Sequence, residues 1–256
     1  MSITIRSSSP RARAGWLLAV VALSLPAGEA MGQKESETSQ QAWLGYFNQT
    51  RLTPKSGLWL DLQFRTNSWV DEAASSIVRL GYTYYARDQL RLTAGYGWIT
   101  HFALSPHAPD IPEHRAWQQV QWFDKNYRAS LAQYLRVEQR FVRKEVDGKL
   151  LDDHRFTWRF RYNFAVSIPI RATEILPKTP FLFLNDEIHV NAGRNIVNNY
   201  FDQNRLFAGL GYQFSRDVNA HLGYLYVFQQ LPTGNRYVHV HALRLFVFHK
   251  LDLGKN

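Results

Sequence analysis

From Arg155 to Phe164 the chain alternates without interruption, and this stretch limits the fold more than any other. Arg155, Thr157, Arg159, Arg161 and Asn163 fall on one face, and Phe156, Trp158, Phe160, Tyr162 and Phe164 on the other. A period of two means a β-strand, because successive side chains of an extended backbone point to opposite sides. The two faces are so unlike that they must meet different surroundings. A soluble sheet rarely sets five aromatics against three arginines on one strand. A membrane β-barrel strand does, with aromatics toward lipid and arginines toward a wet lumen.

Composition fits that reading. Aromatics make up 14% of 256 residues, yet the mean hydropathy is only −0.34. A helical membrane protein would be far more apolar, since each span takes roughly 20 apolar residues. A barrel hides its membrane contact in alternation and keeps an ordinary mean hydropathy. The chain has no cysteine, which excludes a disulfide scaffold and thiol chemistry. At the N-terminus Arg6, Arg11 and Arg13 flank an apolar run, 14–25, followed by Pro26 and the small residues Ala27, Gly28, Ala30 and Gly32. This pattern reads as a secretory signal peptide, too short to span a membrane. Cleavage after Ala30 or Gly32 fits, and Gly32 is favoured, so the mature chain is expected to start at Gln33. Residues 1–32 carry three Arg and one Glu; without them 27 basic and 20 acidic residues remain, a net charge of +7. These charges are spread along alternating strands rather than clustered. No nucleic-acid partner is therefore expected, and the charge is read as lumen and loop charge.

Three regions are expected: the signal peptide at 1–32, a polar flexible lead-in at 33–41, and an outer-membrane barrel domain at 42–256. Eleven alternating segments can be drawn in the barrel, at 42–52, 58–66, 76–86, 89–102, 113–123, 127–142, 153–170, 181–191, 204–214, 218–230 and 237–251. Short turns such as Ala86-Arg-Asp88 alternate with longer loops such as 104–112 and 192–203. That rhythm predicts an all-β, antiparallel up-and-down barrel with short turns on one side and longer loops on the other. Single-chain bacterial barrels have even strand numbers. Eleven conflicts with this, so the expectation spans 10–12 strands and leans to twelve.

The segments Trp43-Leu-Gly-Tyr-Phe-Asn-Gln49, Leu58-Trp-Leu-Asp-Leu-Gln-Phe-Arg65 and Leu90-Arg-Leu-Thr-Ala-Gly-Tyr-Gly-Trp98 carry a resemblance. So do Arg136-Val-Glu-Gln-Arg-Phe141, Trp158-Arg-Phe-Arg-Tyr162 and Asn185-Asp-Glu187. Together they resemble the domain-of-unknown-function family 2490 over nearly all of 42–252. The resemblance implies an outer-membrane barrel and supplies no activity.

The most distinctive chemistry is a Glu/Arg set on the polar strand faces. Arg136, Glu138 and Arg140 share one face, Arg155, Arg159 and Arg161 another, and Glu187 lies in phase with Asn185 and His189. Arginine suits a lumen because it stays charged and offers five donors in a fixed fork. Glu138 and Glu187 are the expected bidentate partners. The first reading is an ion-pair ladder that fills and stiffens a narrow barrel; the second is an anion-attracting pore lining. Outer-membrane enzymes need a nucleophile–base constellation near the outer rim. His101, His107, His114, Asp110, Glu113 and His189 are candidates, but none stands in a spacing that specifies one, so no enzyme is expected. His239 and His241 share a strand face without an evident third ligand, and are read as hydrogen-bonding in the lumen rather than holding metal. No cofactor is expected. Trp69, Trp98, Trp122, Tyr127, Phe141, Tyr200 and Phe228, near strand ends, are read as interfacial girdles.

The expected function is that of a bacterial outer-membrane barrel, structural or a narrow, anion-preferring channel with an Arg/Glu-lined lumen. Its expected partners are the lipid bilayer and the barrel-assembly machinery. The alternatives are a lipid-modifying enzyme or a barrel acting in adhesion or assembly through its loops.

Overall fold

In a computed structural model, residues 34–254 are described, and they contain no helix. They form eleven strands. In chain order these are β1 (Glu35–Arg51), β2 (Ser56–Asn67), β3 (Glu72–Arg87), β4 (Leu90–His101), β5 (Ile111–Asn126) and β6 (Ala129–Val146). There follow β7 (Lys149–Pro169), β8 (Thr179–Ala192), β9 (Phe201–Gln213), β10 (Val218–Gln230) and β11 (Arg236–Asp252). Each strand pairs with its neighbours in sequence, and the sheet closes on itself. All sequential pairs are antiparallel. The closing pair, β1 with β11, is parallel and runs from Glu35↔Arg236 to Arg51↔Asp252.

This closure corrects the leaning to twelve strands. With eleven strands in up-and-down order, the first and last run in the same direction, so a closed sheet must join them in parallel. The alternative is two rows of unpaired backbone groups facing each other across a gap, each group costing several kcal/mol in an apolar medium. The first and last strands therefore begin at the same end of the barrel. Glu35 lies beside the β10–β11 loop, where its N–H donates to Asn235 O at 3.0 Å.

The same closure converts the expected flexible lead-in into strand. Residues 35–41 pair along their length with β11, while β2 joins β1 only from Ala42 onward and Trp69 makes a single bridge to Gln41. The segment is polar and largely exposed, so burial does not hold it. The backbone ladder does, helped by Glu35 and Glu37, which both pair with Arg236. The proposed signal peptide at 1–32 lies outside the described residues.

Elsewhere the expected segments and the observed strands differ by a few residues at their ends. The largest difference is at 143–153, expected as a loop. There β6 and β7 run on to a two-residue turn at Asp147-Gly148, with φ of 51° and 75°. Two consecutive positive φ values define the hairpin turn that Asp-Gly favours.

Alternation sorts the wall cleanly. Leu44, Leu62, Leu80, Tyr82, Trp98, Leu135, Phe160, Leu182, Leu210, Leu222 and Leu243 are exposed on the outside. Asp61, Arg79, Glu113, Arg115, Glu138, Arg159, Arg161, Glu187 and Asp202 are buried inside. Its buried charges lie inside the barrel and its leucines on the outer surface.

Candidate functional site

Strand register builds the interior. Asp61 lies directly across from Arg79, Glu138 across from Arg159 and Glu187 across from Arg205. Directly opposed side chains sit about 4.5–5.5 Å apart at Cβ, within reach of an ion pair. Two opposed pairs are Arg–Arg: Arg115 with Arg140 and Arg136 with Arg161. Like charges in that position repel, so each pair needs a carboxylate from elsewhere. Glu113 serves the first pair and Glu138 the second.

Glu138 is the hub. It is 0% exposed and has five guanidinium groups within 4 Å: Arg79 at 3.6 Å, Arg115 at 3.9 Å, Arg136 at 3.9 Å, Arg159 at 2.5 Å and Arg161 at 2.7 Å. Arg161 bridges from Glu138 to Glu187, at 2.7 and 2.6 Å. Glu187 in turn meets His189 at 3.0 Å and Arg205 at 3.6 Å, and accepts a hydrogen bond from the Tyr134 hydroxyl. Arg159 extends the layer to Asp202 at 3.3 Å. Toward the loop end, Glu113 accepts forks from both Arg115 and Arg140, and His101 Nε2 lies 2.9 Å from it. Arg79 ties in Asp61 at 2.7 Å.

Of the expected set, Arg136, Glu138, Arg140, Arg159, Arg161 and Glu187 come together as one network. Arg155 does not join it. It keeps the inward phase of β7 but lies beyond the layer, exposed and without an ion pair among the described residues. The expectation about forks also needs correction. Arg159 places both Nε and Nη2 on one oxygen of Glu138, and Arg161 splits between two carboxylates. The two-oxygen forks fall on Glu113, which sequence reasoning placed only among rim candidates. Asp61 and Asp202 were not foreseen as members. Asp202 fell in an expected loop because β9 starts earlier than drawn. The signal for Asp61 was its in-phase position between Trp59 and Gln63.

The histidine pair His239 and His241 is not lumenal. Both face outward on β11, where Tyr226 and Tyr224 hydroxyls meet their Nδ1 atoms at 2.6 and 2.5 Å. No cluster among the described residues could hold a metal ion. Of the rings read as girdles, Trp69, Trp98, Tyr127, Phe141 and Tyr200 are exposed, while Trp122 and Phe228 are half-buried. A second aromatic set went unforeseen. Trp43, Trp117, Phe181, Phe207 and Phe246 are buried inside the barrel. Glycines on neighbouring strands make room for them. A Cβ at Gly211 would lie 2.1 Å from the Phe181 ring, and one at Gly95 would lie 2.8 Å from Trp117. Several of these rings carry arginines on their faces: Arg65 lies 3.7 Å above Trp43, and Arg136 lies 4.6 Å above Trp117. Cation–π contact of this kind stabilises a buried guanidinium beyond what nearby carboxylates supply.

Among the described residues, nine arginines in and around the layer, at 65, 79, 115, 136, 140, 159, 161, 205 and 244, face five carboxylates, at 61, 113, 138, 187 and 202. The result is a densely cross-linked polar layer with a positive excess. No curated protein and no solved structure matches the chain. A family described as a protein of unknown function, DUF2490, matches residues 40–238, and the chain belongs to that family.

Proposed function

We propose that this is a bacterial outer-membrane β-barrel, exported by its N-terminal signal peptide and inserted by the barrel-assembly machinery. Its lumen is closed at mid-height by the Glu138-centred ion-pair layer. Its role is that of a structural, non-conducting barrel with a cationic interior. The observation that carries this reading is the burial of the layer. Glu138 and His189 are 0% exposed, and Arg79, Arg136, Arg159 and Arg161 are nearly as sealed. A water-filled pore would leave its lining charges wet. An eleven-stranded barrel lies just above the size at which side chains fill the interior, and long arginines fill it further. The outward leucines and aromatics support the membrane location, since an apolar surface of this extent far exceeds the patches on soluble monomers.

A rim enzyme draws less support. Its best pair, His101 with Glu113, has both carboxylate oxygens locked in two arginine forks, so they are engaged and not free to serve as a base. The test is planar-bilayer recording of the refolded mature protein. Silence, or brief openings that prefer anions, is expected. A steady conductance, of either selectivity, would overturn the reading.

A further inference from the structure

The half of the lumen on the short-turn side is open. A cavity of about 630 Å³ lies there, with the ion-pair layer as its floor. This falls within the range of roughly 300–1,000 Å³ typical of small-molecule sites. Most of its lining is polar, but one side of the wall, on β1, β8 and β11, is apolar where a water-filled lumen would be polar throughout. Near this end β8 and β11 carry apolar residues on both faces. Leu182 and Leu184 point outward while Phe181 and Phe183 point inward; Leu245 and Val247 point outward while Phe246 and Phe248 point inward. Lipid accounts for the outward residues only. Phe47, Phe183 and Phe248 are half-buried and face the cavity; Phe47 and Phe248 stack at 4.8 Å.

Arg244 stands at the inner end of this wall. It is 6% exposed and makes no hydrogen bond or ion pair among the described residues, and its Nε is sealed without a partner. Its guanidinium lies 3.5 Å from the Phe207 ring centre and 4.6 Å from that of Phe246. Ring contact satisfies the faces of a guanidinium, but its five donors radiate in the plane. Those donors face a cavity whose lining has eight basic residues and two acidic ones, Asp61 and Glu187. Both acids are already engaged, by Arg79 and by Arg161. No lining carboxylate remains for Arg244.

We propose that this cavity binds an amphipathic organic anion. Its carboxylate sits on the edge of Arg244, and its hydrocarbon or aromatic body lies against Phe47, Phe183 and Phe248. Entry is from the short-turn end, past Arg91, Arg216 and Lys250. The site occupies the open half of the lumen, so it does not depend on whether the layer conducts. The test is calorimetric titration of the full barrel in lipid nanodiscs with 4-phenylbutyrate, with protein-free discs subtracted. The neutral amide 4-phenylbutyramide and plain acetate are the two controls. Both controls are expected to bind weaker by on the order of tenfold or more. Arg244→Gln should weaken phenylbutyrate binding by a similar factor. Phe248→Glu, at a half-exposed position that leaves the Arg244 contacts with Phe207 and Phe246 in place, should do the same by putting a carboxylate into the cavity. Absence of phenylbutyrate binding overturns the proposal, as does equal affinity for the amide or for acetate. So does unchanged affinity in a folded Arg244→Gln or Phe248→Glu barrel.

Discussion

Glu138 shows how one residue can set the state of an interior. Five arginines converge on it, and no other carboxylate of the layer meets more than two. Removing it leaves several guanidinium groups facing one another in a dry space. Breaking a buried pair in this way costs on the order of 3–5 kcal/mol, far more than an exposed pair returns. Glu138→Ala should therefore lower the urea midpoint of the folded barrel substantially. Lys144→Ala, which removes an exposed pair with Asp153, should leave it nearly unchanged. Equal midpoints for Glu138→Ala and the parent would mean that the layer is decoration. The adjacent pair Arg159 and Phe160 tests the two faces of one strand. Phe160 is exposed outside and Arg159 buried inside. In the outer-membrane barrel we propose, a cation on the lipid face near the midplane costs about 2–4 kcal/mol. Phe160→Arg should thus reduce membrane insertion more than Arg159→Ala, as measured by the heat-modifiable fraction on gels. The reverse order would mean that β7 is turned the other way.

At the scale of the element, the decisive feature is the parallel seam between β1 and β11. It exists because the strand number is odd, and it draws residues 35–41 into the sheet although nothing in their side chains favours burial. The chain has no cysteine, so the seam can be probed without background. Gln40 and His241 are opposed across it. A barrel carrying Gln40→Cys and His241→Cys should form an intramolecular disulfide on oxidation, seen as a mobility shift of the heat-unfolded chain that reductant reverses. Gln40→Cys with Leu251→Cys, near the far end of β11, should not. Failure of the first pair, or crosslinking of the second, would mean a different closure.

For the molecule as a whole, the interior charge is the consequence that reaches function. The nine arginines in and around the layer, against its five carboxylates, give a positive field, which low-dielectric walls concentrate. If the layer opens, the path it leaves should favour anions. Charge reversal by Arg159→Glu together with Arg161→Glu removes two hub contacts and inverts two charges. This variant should conduct more often than the parent and show a reversal potential shifted toward cation preference. An unshifted reversal potential in a conducting variant would mean that the path lies away from this layer.

Much of this protein was legible in its sequence, because alternation is a local property. An extended backbone sends every second side chain to the same side, so Arg159 and Phe160 announce a two-faced wall with no knowledge of the rest of the fold. The same rule located β10 to the residue and put Arg136, Glu138, Arg159, Arg161 and Glu187 inside. Partnership is not local. Glu113 fits a rim histidine site as well as an arginine fork until the register places Arg115 and Arg140 opposite each other. Asp61 becomes a partner only through its position across from Arg79. The inward rings went unforeseen because a lone strand does not tell an outer apolar face from an apolar cavity; only the closed circle says which side is inside. Closure itself belongs to the whole sheet. Whether residues 35–41 are tail or strand depends on the direction in which β11 arrives, two hundred residues later, and on the free energy of leaving its edge unpaired.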